Sequence, residues 1–370
     1  MKRQLLLSTA IVSGAALLLA GPAVAGSAQT GTLDLTIGGS FDFQAGIGDD
    51  DVADSASGKI NNRGYDFVTD TEIHFTFQGT TDNGLTFGAR VELEVDTNAS
   101  GGNSDEVNGF ISGDFGRIEM GDQDGAEHRM IYDAGRTQSG VGGIDGDVDR
   151  WFSNTATSKS FPDITDSSDA TKLTYFSPRF SGIQAGISFT PDTGSGGTNV
   201  GNDDDGHFEE HIGLGINFVE TFNGVDVAIG AVAGFGDAET FTRAGATDPG
   251  DDIENYAIGA NIGYAGFTVG GSYGNNGDTG STDDSWFFNI GAGYSQGPWS
   301  VSVGYLYSEA ETDVGSIDSE FRNIAVGGNY KIAPGLKAYA DLLLPDSDND
   351  SPTISDNDAT ILLLGTVVSF

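Results

Sequence analysis

Apolar residues recur at every second position along most of this chain. Leu85, Phe87, Ala89, Val91, Leu93 and Val95 make one face; Thr86, Gly88, Arg90, Glu92, Glu94 and Asp96 make the other. The same alternation sets Ile73, Phe75 and Phe77 against His74, Thr76 and Gln78, and Trp299, Val301, Val303, Tyr305 and Tyr307 against Ser300, Ser302 and Gly304. Side chains of a β-strand point to opposite faces in turn, so a period of two predicts strands with one greasy face and one small or charged face.

The links between these segments come in two kinds. Tight ones hold the residues that hairpins need: Asp82-Asn83-Gly84, Phe180-Ser181-Gly182, Phe222-Asn223-Gly224, Ala265-Gly266 and Gln296-Gly297-Pro298. Long polar ones separate the pairs, at 48–66, 97–105, 125–170, 192–207, 237–252, 275–283, 311–319 and 346–358. Short and long links alternate from end to end. A transmembrane barrel with short turns on one side and long loops on the other produces this rhythm; a soluble sandwich has no reason to. About sixteen strands are expected, the first near Leu33–Phe43 and the last near Thr360–Phe370. The fold class is therefore all-β, a transmembrane antiparallel β-barrel, and this strand number leaves an aqueous channel.

The amino-terminal segment reads separately. Met1, Lys2 and Arg3 precede an apolar run from Leu5 to Ala20, and Ala23-Val24-Ala25 has the small-x-small form of a cleavage site. Residues 1–25 are expected to be a secretory signal peptide, leaving 26–370 as a single barrel domain. No later run approaches the eighteen apolar residues of a helical span.

Composition narrows the partners. The chain has 55 acidic and 16 basic residues; without Lys2 and Arg3 the balance is 14 − 55 = −41. That field repels nucleic acid. There is no cysteine, hence no disulfide framework. Fifty-seven glycines and nine prolines accompany 23 Phe and 11 Tyr, which suits glycine-rich barrel strands better than disorder.

Together the leader, the opening strand Leu33-Asp34-Leu35-Thr36-Ile37-Gly38-Gly39, the hairpin Thr81–Gly88, the segment Gly113–Asp124 and the terminal Phe370 carry a resemblance. The chain resembles the general porins of the bacterial outer membrane, of alphaproteobacterial type. The resemblance implies an inward-folded constriction loop at 125–170, a homotrimer, a Gram-negative outer-membrane setting of lipid and lipopolysaccharide, and recognition of terminal Phe370 by the barrel assembly machinery. It implies a water-filled channel for passive diffusion of ions and small hydrophilic solutes.

On that resemblance the loop acids Glu127, Asp133, Asp145, Asp147 and Asp149 are expected at the pore constriction. Strand parity turns Arg90, Arg117, Lys172, Lys331 and Lys337 inward, with His74 on the same face, and Arg90, Arg117 and His74 are placed opposite the acids. Rings of fixed charge select ions at close quarters. Arg129, Arg136 and Arg150 lie in the same loop and compete for its acids. No cofactor is required. The alternating acids Asp145, Asp147 and Asp149 are the candidate for calcium, although they lack the glycine and glutamate of an EF-hand loop.

Enzyme signals are poor. His207 and His211 are four apart, roughly 13 Å along a strand and too far to share a metal. Two other readings stay open. A substrate-specific channel would need an aromatic lumen, for which Phe176, Phe287 and Tyr339 are the scattered candidates. An acidic secreted β-protein, an adhesin or lectin, would lack the alternation of short and long links.

Overall fold

In the computed structural model the described residues are 33–50, 64–95, 104–140, 143–145, 147–156, 158–194, 196–197, 200, 206–239, 241–243, 246–248, 251–279, 282–312, 317–351 and 356–370. The leader expected at 1–25 lies outside them. In chain order the strands are β1 (Leu33–Asp50), β2 (Tyr65–Thr80), β3 (Thr86–Glu94), β4 (Ser104–Gly113), β5 (Gly116–Asp122), β6 (Thr171–Phe176), β7 (Ile183–Asp192), β8 (Phe208–Phe222) and β9 (Val225–Ala238). They continue as β10 (Phe241–Arg243), β11 (Ala246–Asp248), β12 (Ile253–Tyr264), β13 (Phe267–Thr279), β14 (Thr282–Gln296), β15 (Trp299–Thr312), β16 (Ile317–Ala333), β17 (Leu336–Asn349) and β18 (Asn357–Ser369).

Sixteen of these close into one antiparallel barrel, while β10 and β11 form a separate hairpin within the 237–252 link. The seam joins the ends of the chain: β1 pairs with β2 along one edge and with β18 along the other. Closure leaves no free sheet edge, so every barrel strand has a neighbour on both sides.

Several strands run beyond the apolar segments that predict them. β1 continues past Phe43 to Asp50, and β13 and β14 nearly consume the expected 275–283 link. Polar strand ends can stay in register in water, where alternation weakens and sequence gives little signal. β13 and β14 do so with register shifts between Asn275 and Thr279.

The burial pattern is the reverse of a soluble core. Along β7, Ile183, Ile187 and Phe189 are exposed while Ser188 and Thr190 are buried. The outer face is apolar and the inner face polar, which matches a barrel wetted inside and surrounded by hydrocarbon. Its large aromatics fall in two belts. Tyr256 and Tyr264, Trp286 and Tyr294, and Trp299 and Tyr307 are each eight residues apart on β12, β14 and β15. Eight residues on a tilted strand rise roughly 20 Å along the axis, close to the height of a bilayer's apolar band. The belts are packed from strand to strand: Trp286 on Tyr307 at 5.2 Å, Trp299 on Tyr330 at 4.4 Å and Phe267 on Tyr294 at 4.3 Å.

Candidate functional site: an inward loop across the barrel

Between β5 and β6 the chain leaves the wall and runs through the interior. It carries one short helix, α1 (Ala126–Arg129), and two 3-10 turns, Gly135–Thr137 and Asp147–Arg150. Its path can be followed by the wall residues that hold it. Ala126 N donates to Ser188 Oγ at 2.5 Å on β7, and Asn261 Nδ2 on β12 donates to Asp133 O at 2.9 Å. Ala134 N donates to Asn289 Oδ1 at 2.7 Å on β14, and Ser139 N to Ser302 Oγ at 2.6 Å on β15. At the far side Trp151 Nε1 donates to Gln44 Oε1 on β1 at 3.1 Å. The loop thus crosses from β7 round to the seam.

Glycines on the wall make room for it. A Cβ at Gly230 would meet Met130 O, at Gly259 the Tyr132 carbonyl, at Gly291 Thr137, and at Gly327 the Ser139 carbonyl. An added Cβ at Gly215 or Gly304 would likewise come within 2.8 Å of Met130 or 2.6 Å of Gln138. Backbone can approach backbone there only because no side chain intervenes. Two apolar clusters complete the docking. One gathers Ala126, Met130, Ile131 and Ile164 with Phe176, Val232, Ala257 and Phe287; the other gathers Ile144, Val148, Trp151 and Phe152 with Leu306, Phe321, Leu343, Ile361 and Leu363.

The expected site residues divide. Glu127 does not reach the pore: it is fully buried, its Oε1 accepting from Ser167 Oγ at 3.2 Å and lying 3.8 Å from His211 Nδ1 on β8. Burial raises its pKa. The helical turn of α1 rotates that side chain to the wall, a direction that charge counting cannot read. Asp133, Asp145 and Asp149 are half-buried on the loop. Asp133 Oδ1 accepts from the Arg136 N–H at 3.3 Å. Asp149 accepts from Ser160 Oγ, and burial raises its pKa. The side chain of Asp147 lies outside the described residues, so the calcium trio Asp145, Asp147 and Asp149 cannot be assembled from them.

On the wall, Arg90, Arg117 and His74 share the inner face as parity requires. Arg90 pairs with Glu92 and touches His74 Nδ1 at 3.3 Å, while His74 Nε2 meets Glu72 Oε1 at 2.8 Å. Arg117 pairs with Glu119 and lies 3.9 Å from the Phe110 ring centre. The loop arginines do not neutralise Glu127. Arg129 joins Arg117 on Glu119, Arg150 Nη2 reaches Asp70 Oδ2 at 2.7 Å, and Arg136 Nη2 donates to Ile131 O at 2.8 Å. Side chains of Arg90, Arg117 and Arg129 remain 35–40% exposed, so a basic strip faces the lumen.

Two features escape a reading by charge count. The first is a carboxylate cage around His128, whose Nδ1 lies 3.1 Å from Asp166 and 3.9 Å from Asp163 and whose Nε2 lies 3.5 Å from Asp124. Burial opposes the imidazolium, but the three carboxylates outweigh it and hold the pKa well above the usual value. Burial pushes Asp163 up to about 6, whereas His128 overrides the burial of Asp166 and lowers it. The i, i+4 spacing of Asp124 and His128 is the one trace of this cage in sequence. Three groupings have metal-ligand spacing among the described residues: Glu72–His74–Glu92, Asp124–His128–Asp166 and Glu106–Asp124–Asp169. The second feature is Tyr339, whose hydroxyl donates to Asp42 at 3.0 Å while Gln44 Nε2 donates to the same carboxylate at 3.0 Å. Phe176, Phe287 and Tyr339 do point inward, yet all three are buried, the two phenylalanines beneath the loop.

Known proteins share this architecture. The profile of a family described as Gram-negative porin matches residues 9–350. A porin of Rhodobacter capsulatus is 39% identical over 80 residues, 21% of this chain and 26% of that protein. The anion-selective porin from Comamonas acidovorans superimposes with a TM-score of 0.63 at 16% identity, covering 91% of this chain and 100% of that one. The trimer form of OmpT from Vibrio cholerae does so with a TM-score of 0.58 at 13% identity, covering 92% and 100%. With the family match, the apolar exterior and the wetted interior agree on a channel in the outer membrane, and the chain belongs to the Gram-negative porin family.

Proposed function

We propose that this porin is a general diffusion channel for ions and small hydrophilic solutes, narrowed by the loop 125–170 and weakly selective for cations. The observation that carries the reading is the loop's position, crossing the interior from Ser188 to Gln44 and leaving Arg90 and Arg117 half-exposed on the wall, with Arg129 of the loop beside them. Half-buried Asp133, Asp145 and Asp149 supply the opposite charge on the loop. A transverse field of this kind orients dipolar solutes without binding any one of them. The net acid excess raises cation concentration at the mouths. Anion selectivity in the Comamonas porin is that protein's own property and does not set the sign here.

A substrate-specific channel is the weaker alternative. Its aromatic candidates Phe176, Phe287 and Tyr339 are all buried and offer no lining to a passing solute.

Self-association follows from strand length. β5 has 7 residues and β6 has 6, fewer than the roughly 9–11 that a tilted strand needs to cross hydrocarbon. This low wall still exposes Val107, Ile111, Met120 and Leu173. A second copy covers such a wall better than lipid does, and the trimer form of the Vibrio neighbour favours three copies. Outer-membrane lipid and lipopolysaccharide cover the rest.

Planar-bilayer recording tests the reading. Shortening the loop between Gly140 and Phe152 should raise single-channel conductance and admit larger solutes. Unchanged conductance would overturn the constriction role, and a clear anion preference in dilute salt would overturn the selectivity.

A further inference from the structure

The loop is a long excursion, yet both its ends return to one side chain. Asp122, the last residue of β5, is paired with Thr171, the first of β6. Next to that pair Lys172 points inward and is only 3% exposed. Its ammonium donates to the carbonyls of Gln123, Ser168 and Ala170, the last at 2.9 Å. An ammonium has three donors, and here all three are spent on backbone at the loop's two roots.

These carbonyls lie where the chain departs from the ladder, so strand pairing cannot satisfy them. The return root also carries Ser168 at φ 51°, a left-handed conformation that a side chain disfavours. Its amide donates to Asp166 Oδ1 at 3.0 Å while its carbonyl takes the lysine, so the turn is held from both ends. The negative charges of Glu127, Asp124, Asp166 and Asp169 act on the cation. Glu127 is the buried acid at the start of the same loop, and its Oε1 binds Ser167 beside that turn.

From this geometry we infer that Lys172 is a positioning residue of the constriction: it clamps both roots of the loop and so sets where the loop rests, and thereby the width and steadiness of the pore. The inference rests on the loop being the constriction. It places control at the hinge, where a small rotation displaces the distal acids most. Strand parity puts Lys172 on the inner face, but its charge is spent on backbone at the loop's roots and not in the lumen.

The test uses full-length trimers in planar bilayers. K172M should raise open-channel noise and lift conductance by roughly a factor of two, with trimer heat stability unchanged. K172R, which keeps a cation and several donors, should lie near wild type. Because the chain has no cysteine, K172C offers a second route. Denatured K172C is alkylated with 2-bromoethylamine, the thiolate displacing bromide to form a lysine-like thioether amine, and is then refolded in detergent. Aminoethylated protein should recover the steady channel, and protein blocked with iodoacetamide should not. Wild-type noise and conductance in both K172M and iodoacetamide-blocked K172C would overturn the inference. So would failure of both to fold alongside recovery by aminoethylation, since the lysine would then serve the barrel and not the loop's placement. If deleting loop residues 140–152 widens the pore while K172M leaves it unaltered, the clamp fails and the constriction stands. If deletion changes nothing, the constriction itself fails.

Discussion

The indole of Trp151 lies directly over Gly46 and donates to Gln44 Oε1 at 3.1 Å, so the distal end of the loop is fastened to the first strand of the barrel. Gln44 is held by Asp42, which is held by Tyr339 on β17. The fastening therefore spans the seam where the two ends of the chain meet, through β1 and β17 on either side of β18. Replacing Trp151 with Ala removes both the ring and the hydrogen bond. Truncating a buried Trp typically costs about 3–5 kcal/mol, and here the loss falls on loop docking more than on strand pairing. W151A should raise conductance and noise; W151F, losing a hydrogen bond worth about 1 kcal/mol, should change them little. Equal behaviour of W151A and wild type in single-channel records would refute the tie.

The cage around His128 gives an unusual pH dependence. Its pKa is raised in the folded state, so its contribution is complete below the free value near 6.5 and is lost as pH rises through the folded value. Lys159 faces Asp163 and Asp166 from the return limb; burial lowers its pKa, so losing its proton at alkaline pH relieves a burial cost and offsets part of the loss at His128. Asp163, raised to about 6, is neutralised as pH falls, which relieves repulsion in the cage. Asp166 is lowered, so its contribution is lost only at strong acid. The channel should stay quiet between about pH 4 and 7 and grow noisy at alkaline pH. H128N should be noisy already at neutral pH. A wild-type channel that closes or flickers at pH 5 while staying steady at pH 9 would contradict this.

Phe370 closes the seam by backbone pairing. Its N–H donates to Gly39 O at 3.1 Å, and Gly39 N–H donates to Phe370 O at 3.0 Å. Deleting Phe370 removes this pair and part of a recognition signal expected for assembly. Membrane insertion in cells should slow markedly, while barrels that do form should keep most of their heat stability. Insertion at the normal rate and yield would count against the assignment.

How much of this was legible in the sequence depends on what each feature rests on. The barrel was legible because Leu85 to Val95 and Trp299 to Tyr307 obey a strict period of two, and a strand has no other way to satisfy it. The inward face of Arg90 and Arg117 followed from the same parity. Inside the loop no period applies. Glu127 looks like Asp133 in sequence, yet one turn of α1 buries the first against His211 and leaves the second half-buried beside Arg136. Partners such as Asp124 and Asp166, or Gln44 and Trp151, are 42 and 107 positions apart, and a single sequence has no signal for pairs set by docking.

The selectivity should be electrostatic and separable from width. Neutralising Asp133, Asp145 and Asp149 together to Asn should lower cation preference with little change in size cutoff. The wild-type preference should shrink at high salt, since the Debye length falls to roughly 3 Å at 1 M. Reversal potentials across a salt gradient measure both. A triple variant with unchanged reversal potential would show that other acids carry the charge, the His128 cage being next in line.

The glycine floor under the loop yields a prediction of opposite sign to deletion. At Gly259 an added Cβ would occupy the place of the Tyr132 carbonyl, and at Gly230 it would collide with Met130 O and come within 3.2 Å of the Tyr132 ring. The wall strands β9 and β12 are paired through this region, Gly259 with Gly230, so two adjacent strands present bare backbone at one spot. Barrel pairing is shared by many hydrogen bonds and resists displacement, whereas the loop is held by fewer contacts and gives way. G259V should therefore lift the loop toward the lumen and reduce conductance, with the barrel still folded. Combining G259V with loop shortening between Gly140 and Phe152 should remove the reduction, because the displaced segment loses its distal anchor at Trp151. Raised or unchanged conductance in G259V alone would mean that the wall yields and the loop does not.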